Sequence, residues 1–246
     1  MIERLAIIGQ GNVGTYLSRQ FEAKGIKVDR YSREASAQAK ALSDYHAAYD
    51  LSLICVPDSQ IQGLSESLAE GVGILAHSSG TMPLDTLSAK HQRRAIFYPL
   101  MSLKAESDIA LETIPFCLET HNPSDRKALE DFAQNQSLHF KYLDSKDRAQ
   151  VHLAAVISQN FSNHLYHQAW RILRERDLDF QILKPLLENH IKQLSNSDPS
   201  LKQTGPAVRK DQQTIDQQLA KLQSEDLKSL YQVFTRSIQK TDEEKL

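Results

Sequence analysis

Cysteine is nearly absent, long apolar runs are missing, and neither sign of charge prevails; each of these gaps removes a class of protein. The two cysteines, Cys55 and Cys117, fall inside strand-like apolar runs, which fits buried free thiols and argues against a disulfide framework or a cysteine metal site. No stretch reaches the roughly 18 consecutive apolar residues of a membrane-spanning helix. With 29 basic residues against 31 acidic ones, the net charge is −2. That offers no global basic field to recommend nucleic acid or an anionic membrane as partner. The chain enters a strand-like run almost at once, with no basic leader, signal-type apolar stretch or cleavage site. The expectation is a cytoplasmic protein, neither exported nor membrane-spanning. There is no internal repeat or low-complexity segment. The composition, 40% hydrophobic and 24% charged over 246 residues, is that of an ordinary globular chain able to bury a sizeable core.

The most informative stretch comes first. Leu5 to Ile8 is apolar, breaks into Gly9-Gln10-Gly11-Asn12-Val13-Gly14, and gives way to helical periodicity in Tyr16, Leu17 and Phe21. A dinucleotide-binding turn needs these glycines for separate reasons. Gly9 allows a tight exit from the strand, Gly11 lets backbone amides approach a pyrophosphate, and Gly14 lets the helix pack closely on the sheet. The helix that starts here aims its unpaired amides and positive end at the phosphates, so Asn12 and Val13 join the expected cofactor contacts. A second strand-like run, Ile26 to Tyr31, completes a βαβ unit. The bland alternative is a structural turn without a ligand. At the end of that second strand a carboxylate would hold the ribose of NAD, whereas an arginine accommodates the extra phosphate of NADP. This chain reads Tyr31-Ser32-Arg33. Ser32 and Arg33 can donate to a phosphate, so NADP(H) is the expected cofactor; otherwise Arg33 is a solvated surface charge.

Further strands are predicted at 49–56, 72–77, 95–98, 114–119 and 138–142, and helices at 35–43, 59–70 (from a capping box of Ser59 and Gln62) and after Asn122. This alternation predicts an α/β fold, a Rossmann-type doubly wound and mostly parallel sheet over 1–144, followed by an all-α domain over 145–246. The helical half divides into a long helix, 146–176, and helices at 180–194, 211–222 and 226–239. Between them lies a loop, 195–205, containing Asn196, and after them a frayed, solvated tail from Thr241. In a doubly wound sheet ligands lie beyond the carboxyl ends of the strands. The strand ends Val56-Pro57-Asp58, His77-Ser78-Ser79-Gly80 and Tyr98-Pro99 therefore face one crevice. Val56, Pro57, Asp58 and Ser78 are assigned to the cofactor.

His77 beside two serines invites a hydrolase reading, but there is no G-x-S-x-G elbow and no clear third group to orient the histidine. It serves hydrogen bonding to substrate or cofactor, or a purely structural turn. On the long helix, His152, Val156, Asn160, Asn163 and His167 recur every three or four residues and so share one face. Asparagines in mid-helix are unfavourable by propensity, so the stripe is either a wall of a substrate cleft or an ordinary exposed face. Its histidines lack a carboxylate at helical spacing, and no metal site is expected. Hydride transfer to a carbonyl or imine needs a proton donor, and histidine, with an unperturbed pKa of about 6.5, suits neutral pH. His77 and His152 are the catalytic candidates, with Ser79, Tyr98, Asn160 and Asn163 on the substrate. Arg209, in the loop 204–211, can grip an anion bidentately or belong to a capped helix start. Leu153, Val156, Ile157, Phe161 and Leu165 exceed what a few short helices can cover, which predicts a homodimer through the helical domain.

Taken together, GQGNVG, Val56-Pro57-Asp58, His77-Ser78-Ser79-Gly80, Tyr98-Pro99-Leu100, DRAQVHLAAVISQNFSNH and Thr204-Gly205-Pro206 with Arg209 and Asp211 resemble one bacterial family. Its members are Rossmann-like proteins with a C-terminal helical domain of unknown function, often labelled as candidate NADP oxidoreductases. The resemblance spans nearly the whole chain, although the family usually has His-Pro where this chain has Tyr98-Pro99. The N-terminal half is also similar to pyrroline-carboxylate reductase, prephenate dehydrogenase and the deazaflavin-dependent NADP oxidoreductases. The resemblance implies an NADP(H) cofactor and a dimer, and brings no known substrate. Two functions remain in view: an NADP(H)-dependent oxidoreductase acting on a small carbonyl, hydroxyl or imine compound held between the domains, and an NADP-binding sensor or regulatory protein without chemistry.

Overall fold

Short runs of apolar residues become strands here because both of their faces are covered. In β1 (Arg4–Ile8), Leu5 and Ile7 enter one core while Ala6 and Ile8 enter the other, the pattern of a sheet with helices on both sides. The computed structural model describes residues 2–194 and 198–244. The remaining strands are β2 (Lys27–Ser32), β3 (Lys40–Ala41), β4 (Leu51–Ile54), β5 (Ile74–His77), β6 (Arg94–Pro99), β7 (Pro115–Thr120) and β8 (His139–Tyr142). They form one sheet in the order β3-β2-β1-β4-β5-β6-β7-β8. All neighbours are parallel except β6 and β7, so β7 and β8 run against the other six. This is the expected Rossmann-type α/β fold. On one face, α1 (Asn12–Ala23) and α3 (Pro123–Asn135) bury Tyr16, Leu17, Phe21, Leu129 and Phe132 against the sheet. On the other, α2 (Asp58–Ser67) contributes Ile61.

The reversal of the last two strands decides where the helical run starts. β8 ends alongside Leu118, away from the carboxyl ends of the parallel strands, so α4 (Ser145–Ala155) starts there and climbs back toward them. Asp144 caps it by accepting from the amide of Asp147 at 2.8 Å. The chain divides into two compact units, Met1–Gln159 and Asn160–Leu246. Thus α4 belongs with the sheet, and the helical run begins inside the first unit rather than after it. A six-residue π-helix, Val156–Phe161, follows α4. The second unit is all-α: α5 (Ser162–Arg174), α6 (Lys184–Gln193), α7 (Gln212–Lys221) and α8 (Glu225–Glu243). Asp211 and Ser224 cap α7 and α8 by accepting from the amides of Thr214 and Leu227. No helix among the described residues is long and apolar enough to cross a membrane.

Three local expectations are corrected. The alanine-rich segment 35–43 is not a helix: the Ser36 hydroxyl accepts from the amides of Gln38 and Ala39, closing a turn that competes with the helix ladder and leads into β3. Ser59 and Gln62 make no capping box, because α2 starts at Asp58 and Gln62 bonds Glu66 instead. The tail from Thr241 continues α8 as far as Glu243. In the loop expected at 195–205, Ser195, Asn196 and Ser197 lie outside the described residues, as do Lys245 and Leu246 in the tail. Both cysteines are buried free thiols, and burial pushes Cys55 up to about 12.

Candidate active site at the strand ends

The glycine-rich turn is sterically closed at two of its glycines and open at the third. Gly9 has φ +115°, and a Cβ there would lie 2.2 Å from the Cys55 carbonyl oxygen, so neither the conformation nor the space admits a side chain. A Cβ on Gly14 would meet the Gly9 carbonyl oxygen at 2.0 Å; this glycine sets how closely α1 approaches the strand. Gly11 is different. A Cβ there would meet nothing within 4 Å, which leaves the approach to the amides of Asn12, Val13 and Gly14 open. These first-turn amides have no acceptor within the helix, and the first turn of α1 carries no acidic side chain to compete with an anion. Alongside, a cavity of about 310 Å³ is lined by Gly9, Ser32, Arg33, Val56, Gln60, Gly63, Leu64 and Ser67. Among the described residues its polar lining consists of hydroxyl, amide and guanidinium groups, with no carboxylate. A phosphorylated ribose fits that donor set, and the residues present therefore fit NADP(H).

Next along the strand ends is the turn after β5. His77 is fully buried; its Nδ1 accepts from the Ser79 amide at 3.1 Å, and its Nε2 lies 3.4 Å from the Pro83 carbonyl oxygen. The Ser79 hydroxyl accepts from the amides of Thr81 and Met82. Burial drives His77 down to about 4. The ring is neutral and pins the turn on which it sits. As a correction to the expected acid–base role, both of its nitrogens are occupied by backbone, and His77 has no free nitrogen to exchange with a substrate.

The geometry brings together the end of β6 and α4 instead. The Tyr98 hydroxyl and His152 Nδ1 are 2.9 Å apart, with the rings edge to face. Both side chains are half-buried. Burial pushes the Tyr98 phenol up to about 12, with nearby Cys117 adding to the rise and Arg148 opposing it. The phenol thus keeps its proton at neutral pH. Gly80 packs directly beneath the pair: a Cβ there would fall 2.6 Å from His152 Nδ1 and 2.7 Å from the Tyr98 ring. The turn, the strand end and α4 meet here because Gly80 has no side chain.

Behind the pair lies a network that sequence reading passed over. Arg148 is fully buried and forks between the Glu119 carboxylate and the Met82 carbonyl oxygen. Ser145 donates to Glu119 at 2.9 Å and accepts from the Leu84 amide at 3.0 Å. The available signal was the spacing of Ser145, Arg148 and His152, three and four residues apart on one helix face. Of the other expected site residues, Ser78 donates to the Ile54 carbonyl oxygen and fastens β5 to β4. The Asn12 side chain accepts from the Ala105 amide. Pro57 and Asp58 are exposed at the start of α2. Asn160, Asn163 and Arg209 are exposed residues of the helical unit. The π-helix interrupts the three-to-four spacing between His152 and Asn160, so the expected single polar stripe does not continue in α-helical register.

Residues 114–238, just over half of the chain, match the family described as Domain of unknown function (DUF2520). Sequence comparison with curated proteins gives no match. Among solved structures, the chain is similar to that of a candidate NADP oxidoreductase, BF3122, from Bacteroides fragilis, with 27% identity, 97% of this chain and 98% of that one covered, and a TM-score of 0.86. Protein TM1727 from Thermotoga maritima superposes with a TM-score of 0.71 at 20% identity, covering 98% and 99% of the two chains. A reductive aminase from Aspergillus terreus, in complex with NADPH and ethyl-5-oxohexanoate, superposes with a TM-score of 0.73 at 14% identity over 96% and 95%. The last two likenesses are of fold. By the match across its last strands and helices, the chain belongs to the DUF2520 family.

Proposed function

We propose that this chain is an NADP(H)-dependent oxidoreductase that interconverts a small carbonyl or imine compound with its reduced form. The observation that carries the reading is the Tyr98–His152 pair at the same strand ends as the glycine-rich turn. The likeness to BF3122 and to an NADPH-bound reductive aminase supports it. When bound, NADPH supplies the hydride. The chain's own work is to hold the phosphates on the amides of 12–14 and at Ser32 and Arg33, and to place a proton donor at the reacting carbon's heteroatom. The Tyr98 hydroxyl gives its proton to the nascent alkoxide or amine. The phenol oxygen recovers its proton from solvent by way of the His152 ring, whose Nδ1 lies 2.9 Å away. Ser79, on the turn beside the pair, is assigned to substrate.

Arg33 decides the choice of cofactor. Calorimetry with Arg33→Ala is expected to show NADPH binding weakened by about 10-fold or more, the scale of one charge-assisted hydrogen bond, with NADH binding unchanged. Equal weakening of both would remove the phosphate clamp. A second expectation concerns assembly. Leu153, Ile157 and Phe161 are 53%, 54% and 57% exposed, and α5 and α6 expose Trp170, Ile172, Leu186 and Ile191 as well. That much apolar surface fits a second copy of the chain. Light scattering at micromolar concentration should give a dimer mass, and a monomer would refute the proposal.

A further inference from the structure

We infer that Arg148 is the positioning residue that sets His152 against Tyr98, acting through Glu119 and Ser145. The inference rests on the Tyr98–His152 reading above and deepens it. Ser145, Arg148 and His152 lie along one face of α4, about 10 Å from first to last at the helical rise. Ser145 and Arg148 meet at a single carboxylate, Glu119 on β7. The same two residues hold the turn that carries Gly80: Arg148 through the Met82 carbonyl, Ser145 through the Leu84 amide. One fork therefore fixes α4 to the sheet and to the turn at once, and the next helical turn delivers His152 to Tyr98.

A simple packing role does not account for this arrangement. The guanidinium is fully enclosed, and its Nε has no hydrogen-bond partner among the described residues. Enclosing a charge is unfavourable unless geometry compensates, and an apolar side chain of similar volume often packs as well. What an apolar side chain lacks is the rigid fork that ties two elements in one register. Gly80 sharpens the demand, because a small shift of α4 either drives His152 into the turn or pulls it beyond hydrogen-bonding reach of Tyr98.

The test uses the full chain labelled with ¹⁵N-histidine, read by the His152 imidazole resonances and independent of turnover. Tyr98→Phe defines the spectrum of the broken pair. Arg148→Met, shown folded by circular dichroism, is expected to move the His152 Nδ1 resonance to the Tyr98→Phe position. It should also slow single-turnover hydride transfer by about 100-fold, the scale of a misplacement near 1 Å, with the NADPH Kd within about threefold of wild type. Folded Arg148→Met with a wild-type His152 resonance would overturn the inference. Should Arg148→Met not fold, Glu119→Gln carries the same readout, a shift supporting the inference and an unshifted resonance overturning it. If the wild type turns over no carbonyl or imine, the oxidoreductase reading fails while the resonance result still decides the role of Arg148.

Discussion

Tyr98→Phe and His152→Ala are each expected to lower turnover of a reducible substrate by about 100-fold or more, roughly 2.7 kcal/mol of transition-state stabilisation. NADPH affinity should hardly change, since neither residue is assigned to the phosphates or the ribose. The double variant is expected to be no worse than the poorer single one, because the two side chains form one hydrogen-bonded unit and the effects of such units are not additive. Steady-state and stopped-flow NADPH oxidation would measure all three. Full activity in both single variants would withdraw the proton relay. Additive losses would separate the two residues into independent roles.

A loss of stability on mild acidification is the second large effect, and its source is His77. The unfolded chain takes up this proton near pH 6.5, whereas burial holds the native ring neutral until about pH 4. Between those values the unfolded state binds more protons, so native stability falls as the pH drops through the window. The shift corresponds to about 3 kcal/mol in all, of which about 2 kcal/mol is lost by pH 5. Above pH 7 the contribution is fully present. Urea denaturation of wild type and His77→Asn between pH 7 and 4.5 would isolate it. The variant starts less stable, having lost the ring that pins the turn at Ser79 and Pro83, but its curve is expected to be flatter by that amount. Parallel curves would show that His77 charges in the native protein.

The elements that sequence reading captured are those governed by local pattern. Leu5 to Ile8 and the glycines after them declare a strand, a turn and a helix through spacing alone. Arg148 stayed hidden because its partner, Glu119, is 29 residues away in sequence; only the reversal of β7 and β8 brings them together. The role of His77 is hidden from the sequence for a related reason. Its residue type suits acid–base chemistry, whereas its role is decided by backbone partners that no side-chain pattern announces. The π-helix was equally invisible. Val156 to Phe161 contains no proline or glycine, and the counting of three and four residues that linked His152 to Asn160 assumes a regular helix.

The two-residue β3 forms one margin of the sheet, and β8, with His139 and Lys141, forms the other. A sheet margin is a template for another strand when it is long, flat and uncharged. Here one margin is too short to recruit a stranger, and the other carries basic side chains. Crowded copies of this protein should therefore resist fusing edge to edge into extended cross-β stacks, and any ordered association is left to surfaces other than the sheet.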